Sequence, residues 1–452
     1  MSERRESSVD ANVDDLLPLP WAEEQRLLGV GVRILRRSDV RARHVPDLAA
    51  AAATLLRGAH DPLADEVSLR LAALRARLWR SPWWTARLRT LGGSPDDLGT
   101  LADLADFPTL TRDQYATAWR DLFDLDGDPE LHIATTSGST GQALLVPRGG
   151  ADGVHMWAVI RFLVEHLGIT LPPRPRAVLL CSLPGGLEYS VRSPQFHAGA
   201  LHRISTVRPG ALARLARVRP ALLSTDPAGL HWLLAQPAGA RPRPALVLSS
   251  AQHLAASLRE RVQRELGAPV INYFATTEAG PIAWECLREP GRLHVLHPDV
   301  LVESLDGQLA VTRLRGSPLP LLRHLSGDRG EVVDGTCSCG VRGRSILGFT
   351  GRHPCAFQRS DGSEVDAWSL AWLFKDLPLV RFELAQVGPE RFELTLDEGA
   401  SLPLGPELLA TRLRRTLRRL GFARPELSVR RASLAWAAKP RPFVSRVDAG
   451  VV

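Results

Sequence analysis

A run of hydroxyl side chains and glycines, TTSGSTG, occupies residues 135–141 directly after the apolar pair Ile133 and Ala134. Glycine lets a loop wrap its backbone N–H groups around an anion, and hydroxyls add donors to phosphate oxygens. The run is not a Walker loop, because Gln142 follows where that loop has lysine. We predict a phosphate-binding loop, with a flexible linker as the alternative, made of Thr136, Ser137, Gly138, Ser139, Thr140 and Gly141.

A second group of side chains has the composition of a metal site. Its members are Cys286, His294, Cys337 and Cys339. Three thiolates and one imidazole make a closed tetrahedral zinc site of the structural kind. His297 is the rival fourth ligand, and the Cys-x-Cys pair has a simple turn as its alternative explanation. The two remaining cysteines, Cys181 and Cys355, are expected to be core or free thiols.

Three charged residues stand in short motifs: Glu278 in YFATTE, Asp328 in RHLSGD and Lys439 in AAKPRPF. Mg²⁺ prefers carboxylate oxygen, and a carboxylate can accept hydrogen bonds from two hydroxyls at once. An ammonium group stabilises charge that builds on the oxygens of a reacting phosphate. Each residue also has a simpler interpretation: a glutamate at a helix N-terminus, an aspartate in a β-turn and a solvated surface lysine.

The order of these motifs resembles that of the adenylate-forming superfamily, specifically its phenylacetate-CoA ligase and CapK-like branch. The segment DFPTLTRDQY at residues 106–115 is similar to the LP-x-T-T-K that precedes the phosphate loop in that branch. Downstream, YFATTE resembles aromatic-Gly-x-Ser/Thr-Glu, RHLSGD resembles R-Y-R-T-G-D, and AAKPRPF resembles G-K-x-R-P. The similarity runs from about residue 68 to the end of the chain.

The resemblance implies a role for each matching residue. Phe274 would lie against adenine, Thr277 would contact phosphate, Glu278 would ligate Mg²⁺, Asp328 would bind the ribose hydroxyls, Arg352 would lie near the nucleotide, and Lys439 would reach the carboxylate and α-phosphate. Members of the branch carry zinc at positions that match the cysteine and histidine group. The chain departs from the pattern at Ala275, at Ala438 and at Pro354, where a proline would stiffen the hinge between domains.

The implied activity is ATP-dependent conversion of a carboxylic acid, aromatic or otherwise apolar, into its acyl-AMP with release of pyrophosphate. CoA is the expected acceptor and would yield a thioester. One alternative is transfer to a carrier protein or an amine in a biosynthetic pathway. Another is a nucleotide-binding scaffold without turnover. The expected cofactors are ATP, Mg²⁺, a structural Zn²⁺ and CoA as co-substrate.

At 452 residues the chain is too long for a single core. We predict a helical N-terminal extension at 1–67, a large ATP- and acyl-binding domain at 68–350 and a small mobile C-terminal domain at 351–452. Alternating apolar strands and helices predict an α/β large domain with layered α/β subdomains and a small β subdomain at 300–334. The order strand, strand, helix, strand after residue 380 predicts an α+β C-terminal domain.

The net charge of +7 comes from basic residues that are nearly all arginine and are scattered along the chain, so we expect no nucleic-acid partner. The longest apolar stretches are shorter than the ~20 residues of a membrane helix. The N-terminus has no apolar segment behind a basic start, which favours a cytoplasmic enzyme. A second copy of the chain, as in a homodimer, remains an open candidate among its partners.

Overall fold

The protein is described here from a computed structural model. The residues that the structure describes are 45–123, 132–136, 144–181, 188–193, 199–206, 208–251, 254, 256–350, 355–367, 370, 373, 382–398, 405–434 and 443–447.

The described part of the chain begins with a helix, and further helices follow along both the large domain and the C-terminal part. They are α1 Val45–Gly58, α2 Ala64–Trp79, α3 Pro82–Thr90, α4 Arg112–Ala118, α5 Gly150–His166, α6 Ala211–Val218, α7 Pro227–Leu234, α8 Ala256–Leu266 and α9 Pro406–Arg419. In α2 the buried residues Val67, Leu71, Leu74 and Leu78 recur every three or four positions, which forms one apolar face. Helix α3 begins with proline at its first turn, as helices often do.

Helix α1 belongs to the core of the large domain. Its residues Leu48, Ala52 and Leu55 lie in one buried apolar cluster with Trp157 and Phe162 of α5. Helix α2 starts before residue 68, so the helices run across the limit that we predicted from the sequence. The domain limits at 67 and 350 stay predictions, and residues 1–44 lie outside the described ranges.

The strands of the large domain follow the predicted alternation. They are β1 His132–Thr135, β2 Leu145–Arg148, β3 Arg176–Cys181, β4 Tyr189–Ser193, β5 Gly199–Ser205, β6 Leu222–Thr225, β7 Leu246–Ser249, β8 Val270–Thr276, β9 Gly280–Glu285, β10 Leu293–Val295, β11 Val300–Leu305, β12 Gln308–Arg313, β13 His324–Thr336 and β14 Arg342–Thr350. Strands β1 and β2 form a separate antiparallel pair.

Twelve of these strands form one sheet, in the order β11-β12-β13-β14-β10-β9-β8-β7-β6-β3-β5-β4. Strands β5, β3, β6, β7 and β8 are parallel, and α6, α7 and α8 connect successive members. Their continuous apolar runs fit strands that are buried on both faces.

From β8 onward the sheet is antiparallel. The short strands expected at 300–334 are present as β11 to β13, but they continue the large sheet and do not form a separate unit. The link is β10, which has only three residues and pairs with both β9 and β14. A strand this short leaves almost no period-two pattern in a sequence.

The C-terminal part has its own sheet and core. Its strands are β15 Ala356–Gln358, β16 Glu364–Asp366, β17 Phe382–Gly388, β18 Arg391–Asp397, β19 Glu426–Ala432 and β20 Phe443–Ser445. The four-stranded sheet has the order β19-β18-β17-β20, and α9 connects the parallel pair β18 and β19. Leu413 and Leu417 of α9 pack with Phe382 and Phe392. The predicted order of strand, strand, helix and strand is confirmed.

Within the described ranges, no helix combines the length and the apolar character that crossing a membrane requires.

Candidate functional site

The turn that joins β8 to β9 carries Thr277 and Glu278, both predicted to act in catalysis. The turn is closed by the Ala279 N–H, which donates to Thr276 Oγ1 at 3.0 Å. Glu278 is only 2% exposed. Because a buried carboxylate is costly without a partner, its environment must supply hydrogen-bond donors.

Arg112, the first residue of α4, is one such donor. Its Nη1 donates to Glu278 Oε1 at 2.9 Å, and its Nη2 donates to Thr136 Oγ1 at 3.1 Å. The start of α4 is fixed by a capping box, in which Thr111 and Gln114 each bond the other's backbone N–H. One guanidinium therefore joins the 106–115 segment, the Ser/Gly-rich segment and the Glu278 turn.

Thr136 closes the base of the predicted phosphate loop. Its N–H donates to the Leu144 carbonyl at 3.0 Å, and its Oγ1 accepts from the Leu144 N–H at 2.8 Å. Thr136 and Leu144 are thus hydrogen-bonded to each other, and Thr136 also contacts Arg112. The other predicted members of the loop, Ser137, Gly138, Ser139, Thr140 and Gly141, lie outside the described residues, as do Arg352, Pro354 and Lys439.

Three arginines hold the backbone of the same turn. Three consecutive carbonyl oxygens each accept a hydrogen bond from a different guanidinium: Thr277 from Arg148 Nη2 at 2.7 Å, Glu278 from Arg313 Nη1 at 3.0 Å, and Ala279 from Arg315 Nη2 at 2.7 Å. We did not predict these arginines from the sequence, nor a role for Arg112. Their partners lie far away along the chain, so no local motif marks them.

Phe274 and Asp328 are both close to residues at the end of β14. The Phe274 ring packs on that of Phe349, with their centroids 4.6 Å apart. The next residue, Thr350, pairs with Arg329, which follows Asp328. The predicted adenine and ribose residues therefore lie near the same end of one strand, and both are buried.

The 106–115 segment docks on the strand that carries Asp328. The Leu110 N–H donates to the Arg323 carbonyl at 3.1 Å, and the Leu325 N–H donates to the Leu110 carbonyl at 3.0 Å. Arg323 Nη1 also donates to the Phe107 carbonyl at 2.5 Å. Two motifs that are more than two hundred residues apart are therefore held together by backbone hydrogen bonds.

The cysteine and histidine group is assembled at the ends of β9, β10, β13 and β14. The potential ligand atoms of Cys286, His294, Cys337 and Cys339 all lie within 4.8 Å of one another. The Sγ atoms of Cys286 and Cys337 are 3.7 Å apart, and Cys339 Sγ lies 3.3 Å from His294 Nε2. His297, the rival ligand, instead places its Nε2 2.6 Å from the Pro62 carbonyl oxygen.

Surrounding groups fix the orientation of these side chains. Ser345 Oγ lies 3.2 Å from His294 Nδ1, on the side of the ring away from the thiols. Glu289 Oε1 accepts from the Ser338 N–H at 2.8 Å and from Cys337 Sγ at 3.1 Å. Burial, with Arg292 as a second cause, lowers the pKa of His294 to about 4, so the imidazole is neutral at pH 7.

No protein-family model matches the chain, and no curated protein matches it. Solved structures do resemble it. A 2-hydroxyisobutyryl-CoA ligase in complex with 2-HIB-AMP and CoA in the thioesterification state is 16% identical, with a TM-score of 0.54 over 86% of this chain and 91% of that one. An open conformation with the same ligands gives 16% identity and a TM-score of 0.52 over 86% and 93%.

The same ligase in the postadenylation state with 2-HIB-AMP is 16% identical, with a TM-score of 0.53 over 87% of this chain and 92% of that one. At this identity the likeness establishes the fold. The fold class predicted from the sequence, a large α/β domain followed by a small α+β domain, is therefore confirmed.

Proposed function

We propose that this chain, whose fold is that of the 2-hydroxyisobutyryl-CoA ligase structures, is an ATP-dependent ligase of the adenylate-forming superfamily. A carboxylate oxygen of the acid attacks the α-phosphorus of ATP, and pyrophosphate leaves with the electron pair of the broken P–O bond. A thiolate then attacks the acyl carbon, AMP leaves and a thioester forms. The observation that carries the proposal is the Glu278 turn, held by Arg112 beside Thr136 at the base of the Ser/Gly-rich segment.

The individual roles follow the resemblance and stay proposals. Phe274 would contact adenine, Asp328 the ribose hydroxyls, Thr136 to Gly141 the phosphates together with Thr277, and Lys439 the reacting α-phosphate, while Arg352 would lie near the nucleotide. Phe274 and Asp328 support this assignment because β14 brings them to one end of the sheet. In such a site the protein acts mainly by positioning the reactants and by stabilising the negative charge that develops.

Glu278 is the residue that would hold a magnesium ion. A carboxylate oxygen is the ligand that Mg²⁺ prefers, and the ion usually takes few protein ligands because it keeps several waters and binds substrate phosphates. Glu278 supplies that oxygen next to Thr136. Bound there, Mg²⁺ would neutralise charge on the phosphates, while Arg112 keeps the glutamate side chain in one orientation.

We also propose a structural zinc ion held by Cys286, His294, Cys337 and Cys339. A tetrahedral centre with Zn–S bonds of about 2.3 Å has S···S edges of roughly 3.8 Å. The observed 3.7 Å between Cys286 and Cys337 fits that edge and is far longer than the ~2.05 Å of a disulfide. Four protein ligands leave no open position, so this metal would stabilise the fold and take no part in the reaction.

CoA is the first candidate for the thiol acceptor, because the solved structures of similar fold contain CoA beside the acyl-AMP. We place this chemistry in the cytoplasm, where thiols stay reduced. The described cysteines form no disulfide, which agrees with that compartment.

The exposed side of α9 favours a second candidate, an acidic carrier protein. Residues 406–424 hold six arginines and one acidic residue, a local excess of positive charge. Arg415, Arg418 and Arg419 lie on the exposed side of α9, with Leu408 45% exposed on the same helix. In the described part of the chain their guanidinium groups have no acidic partner, whereas Arg161, for example, pairs with Glu165. Such a face suits an acidic protein surface.

The two acceptors can be separated with one double variant. Arg415→Glu with Arg419→Glu should lower the kcat/KM for an acidic holo-carrier protein and leave the kcat/KM for CoA unchanged. Arg217→Glu, on the exposed side of α6, serves as the matched control. If the double variant transfers to the carrier as well as the wild type does, or if only CoA accepts the acyl group, the carrier candidate is wrong.

The first half-reaction is tested by pyrophosphate release with a panel of aromatic, aliphatic and 2-hydroxy acids. We expect release that depends on at least one acid and on Mg²⁺. The alternative, a scaffold without turnover, predicts a protein that binds ATP and releases no pyrophosphate with any acid. An amine acceptor would appear as an amide product in the same reactions.

A further inference from the structure

Two of the three arginines that hold the Glu278 turn, Arg313 and Arg315, contact one buried acid, Asp152, near the start of α5. Its Oδ1 accepts from Arg315 Nη1 at 2.7 Å and lies 3.4 Å from Arg313 Nη1. Its Oδ2 accepts from Ser317 Oγ at 2.9 Å and from the Gly149 N–H at 3.0 Å. Oδ1 thus contacts both Arg313 and Arg315, and Oδ2 holds the carboxylate in place through Ser317 and Gly149.

The chemistry of arginine explains why this acid has an effect at a distance. A guanidinium is a planar fork, so setting one Nη also sets the direction of the other. In Arg315, Nη1 bonds Asp152 while Nη2 bonds the Ala279 carbonyl. In Arg313, Nη1 donates to both Asp152 Oδ1 and the Glu278 carbonyl, and Nη2 donates to the Leu319 carbonyl.

The Asp152 carboxyl is also ionised at neutral pH. Burial raises the pKa of its carboxyl, but Arg313, Arg315 and Arg148 outweigh this and hold the pKa well below its usual range. Charged groups in such a dry environment interact strongly, and removing one partner leaves the others uncompensated. The position of the turn therefore depends on the charge of Asp152 as well as on its shape.

Gly280 gives an independent sign that the turn and Arg315 fit closely. Its φ is +76°, a conformation that favours glycine, and a Cβ placed there would lie 2.8 Å from Arg315 Nη2. A side chain at position 280 would therefore require the Arg315 guanidinium to move away from its present position beside the turn.

We propose that Asp152 is a positioning residue for adenylation, acting through Arg313 and Arg315 on the carbonyls of Glu278 and Ala279 so that the Glu278 carboxylate meets Mg²⁺ and phosphate correctly. This rests on the proposed function. Asp152 touches neither nucleotide nor metal in this assignment. Its effect should appear in Mg²⁺-dependent steps and not only in stability.

Asp299 offers a matched control. Asp299 is buried, as Asp152 is, and it is paired with an arginine and a histidine. Arg70 Nη1 donates to its Oδ1 at 2.5 Å, and His155 Nδ1 lies 2.7 Å from its Oδ2. None of its described hydrogen bonds reaches residues 277–279. The Asp299 backbone carbonyl accepts from the Arg315 N–H at 3.2 Å, and Asp299→Asn leaves that backbone group in place. The variant therefore reports the cost of disturbing a buried ion pair near Arg315 that makes no hydrogen bond to the turn.

The experiment compares Asp152→Asn, Asp152→Glu and Asp299→Asn in the full chain. The readouts are the Mg²⁺ concentration for half-maximal ATP binding, measured by calorimetry, and the kcat and KM for ATP in pyrophosphate exchange. We expect Asp152→Asn to raise the half-saturating Mg²⁺ and lower kcat by about 10- to 100-fold, the usual loss when a group that orients a metal ligand is removed. Asp152→Glu should recover part of this, and Asp299→Asn should lower thermal stability while changing the half-saturating Mg²⁺ and kcat far less than Asp152→Asn does.

A second variant covers the case in which Asp152→Asn fails to fold. Arg315→Lys keeps the charge beside Asp152 but loses the fork that reaches Ala279, and it should raise the Mg²⁺ requirement in the same direction. Folded variants at position 152 or 315 with wild-type Mg²⁺ dependence would overturn the proposal. If the wild type shows no exchange with any acid, the proposed function fails, while the Mg²⁺-dependent ATP binding still decides the role of Asp152.

Discussion

The Arg112 guanidinium donates to the Glu278 carboxylate at 2.9 Å across 166 residues of sequence. Both side chains are largely buried, so the pair is not the exposed kind that contributes little. The other Nη of Arg112 reaches Thr136 at 3.1 Å. A single side chain thereby ties the proposed metal ligand to the base of the proposed phosphate loop.

Replacing Arg112 should impair adenylation. Hydrogen bonds to charged groups contribute about 1.5–3 kcal/mol, which corresponds to roughly 10- to 100-fold in rate. We expect Arg112→Gln to lower kcat/KM for ATP in pyrophosphate exchange by that factor. Arg112→Lys keeps the charge but cannot bridge both partners. Its kcat/KM for ATP should therefore lie between those of Arg112→Gln and the wild type. Equal activity of Arg112→Gln and wild type would show that the bridge has no catalytic importance.

The pH dependence of stability should reveal Asp152. Its folded-state pKa is depressed below the ordinary 3.8, so its contribution is fully present above that value and is lost as the pH falls toward the folded pKa. Asp152→Asn should therefore cost about 3–5 kcal/mol in the free energy of unfolding at pH 7. The difference between wild type and variant should shrink below about pH 4. Urea unfolding at pH 7, 5, 4 and 3.5 measures it, and a difference that grows on acidification would refute the assignment.

Metal content should depend on the cysteine and histidine group. Purified wild type should contain about one zinc per chain by elemental analysis. Cys337→Ser should lose most of it and unfold at a lower temperature, because metal binding contributes directly to folding free energy. Cys355→Ser changes a cysteine outside the group and should keep the metal. Equal zinc in the two variants would argue against the site.

Trp84 should contribute more to the free energy of unfolding than its neighbour Trp83 does. Trp84 is fully buried, and its Nε1 donates to the Pro320 carbonyl at 3.1 Å, which anchors α3 to the segment after Arg315. Trp84→Phe removes that donor and leaves a buried carbonyl unsatisfied, at a cost of about 1–3 kcal/mol. Trp83, only half-buried, is the control. Denaturant unfolding should show a smaller loss for Trp83→Phe, and equal losses would contradict this reading.

The sequence predicted what is encoded locally. Apolar runs such as 176–181 became β3, and the helix expected at 406–420 became α9 almost residue for residue. The Cys-x-Cys pair indicated the cysteine and histidine group, and Glu278 stood in a recognisable motif. What the sequence could not supply was assembly over distance. Arg313 meets Asp152 across 161 residues, and buried arginines leave no periodic signal.

The continuity of the twelve-stranded sheet escaped prediction for a related reason. It depends on β10, whose three residues pair on both sides, and such a link becomes visible only when both neighbours are in place. Likewise, the apolar face of α1 predicted a helix but did not identify α5 as its partner. Pairing partners are decided by the whole fold, and one strand or helix does not specify them.

The most direct test of the central claim is exchange of labelled pyrophosphate into ATP, measured with the acid panel for the wild type and for Glu278→Gln. The proposal predicts exchange that requires a particular acid and Mg²⁺, and that falls by orders of magnitude in Glu278→Gln. A wild-type protein that binds ATP but exchanges no pyrophosphate with any acid would contradict it, and so would a Glu278→Gln variant with undiminished exchange.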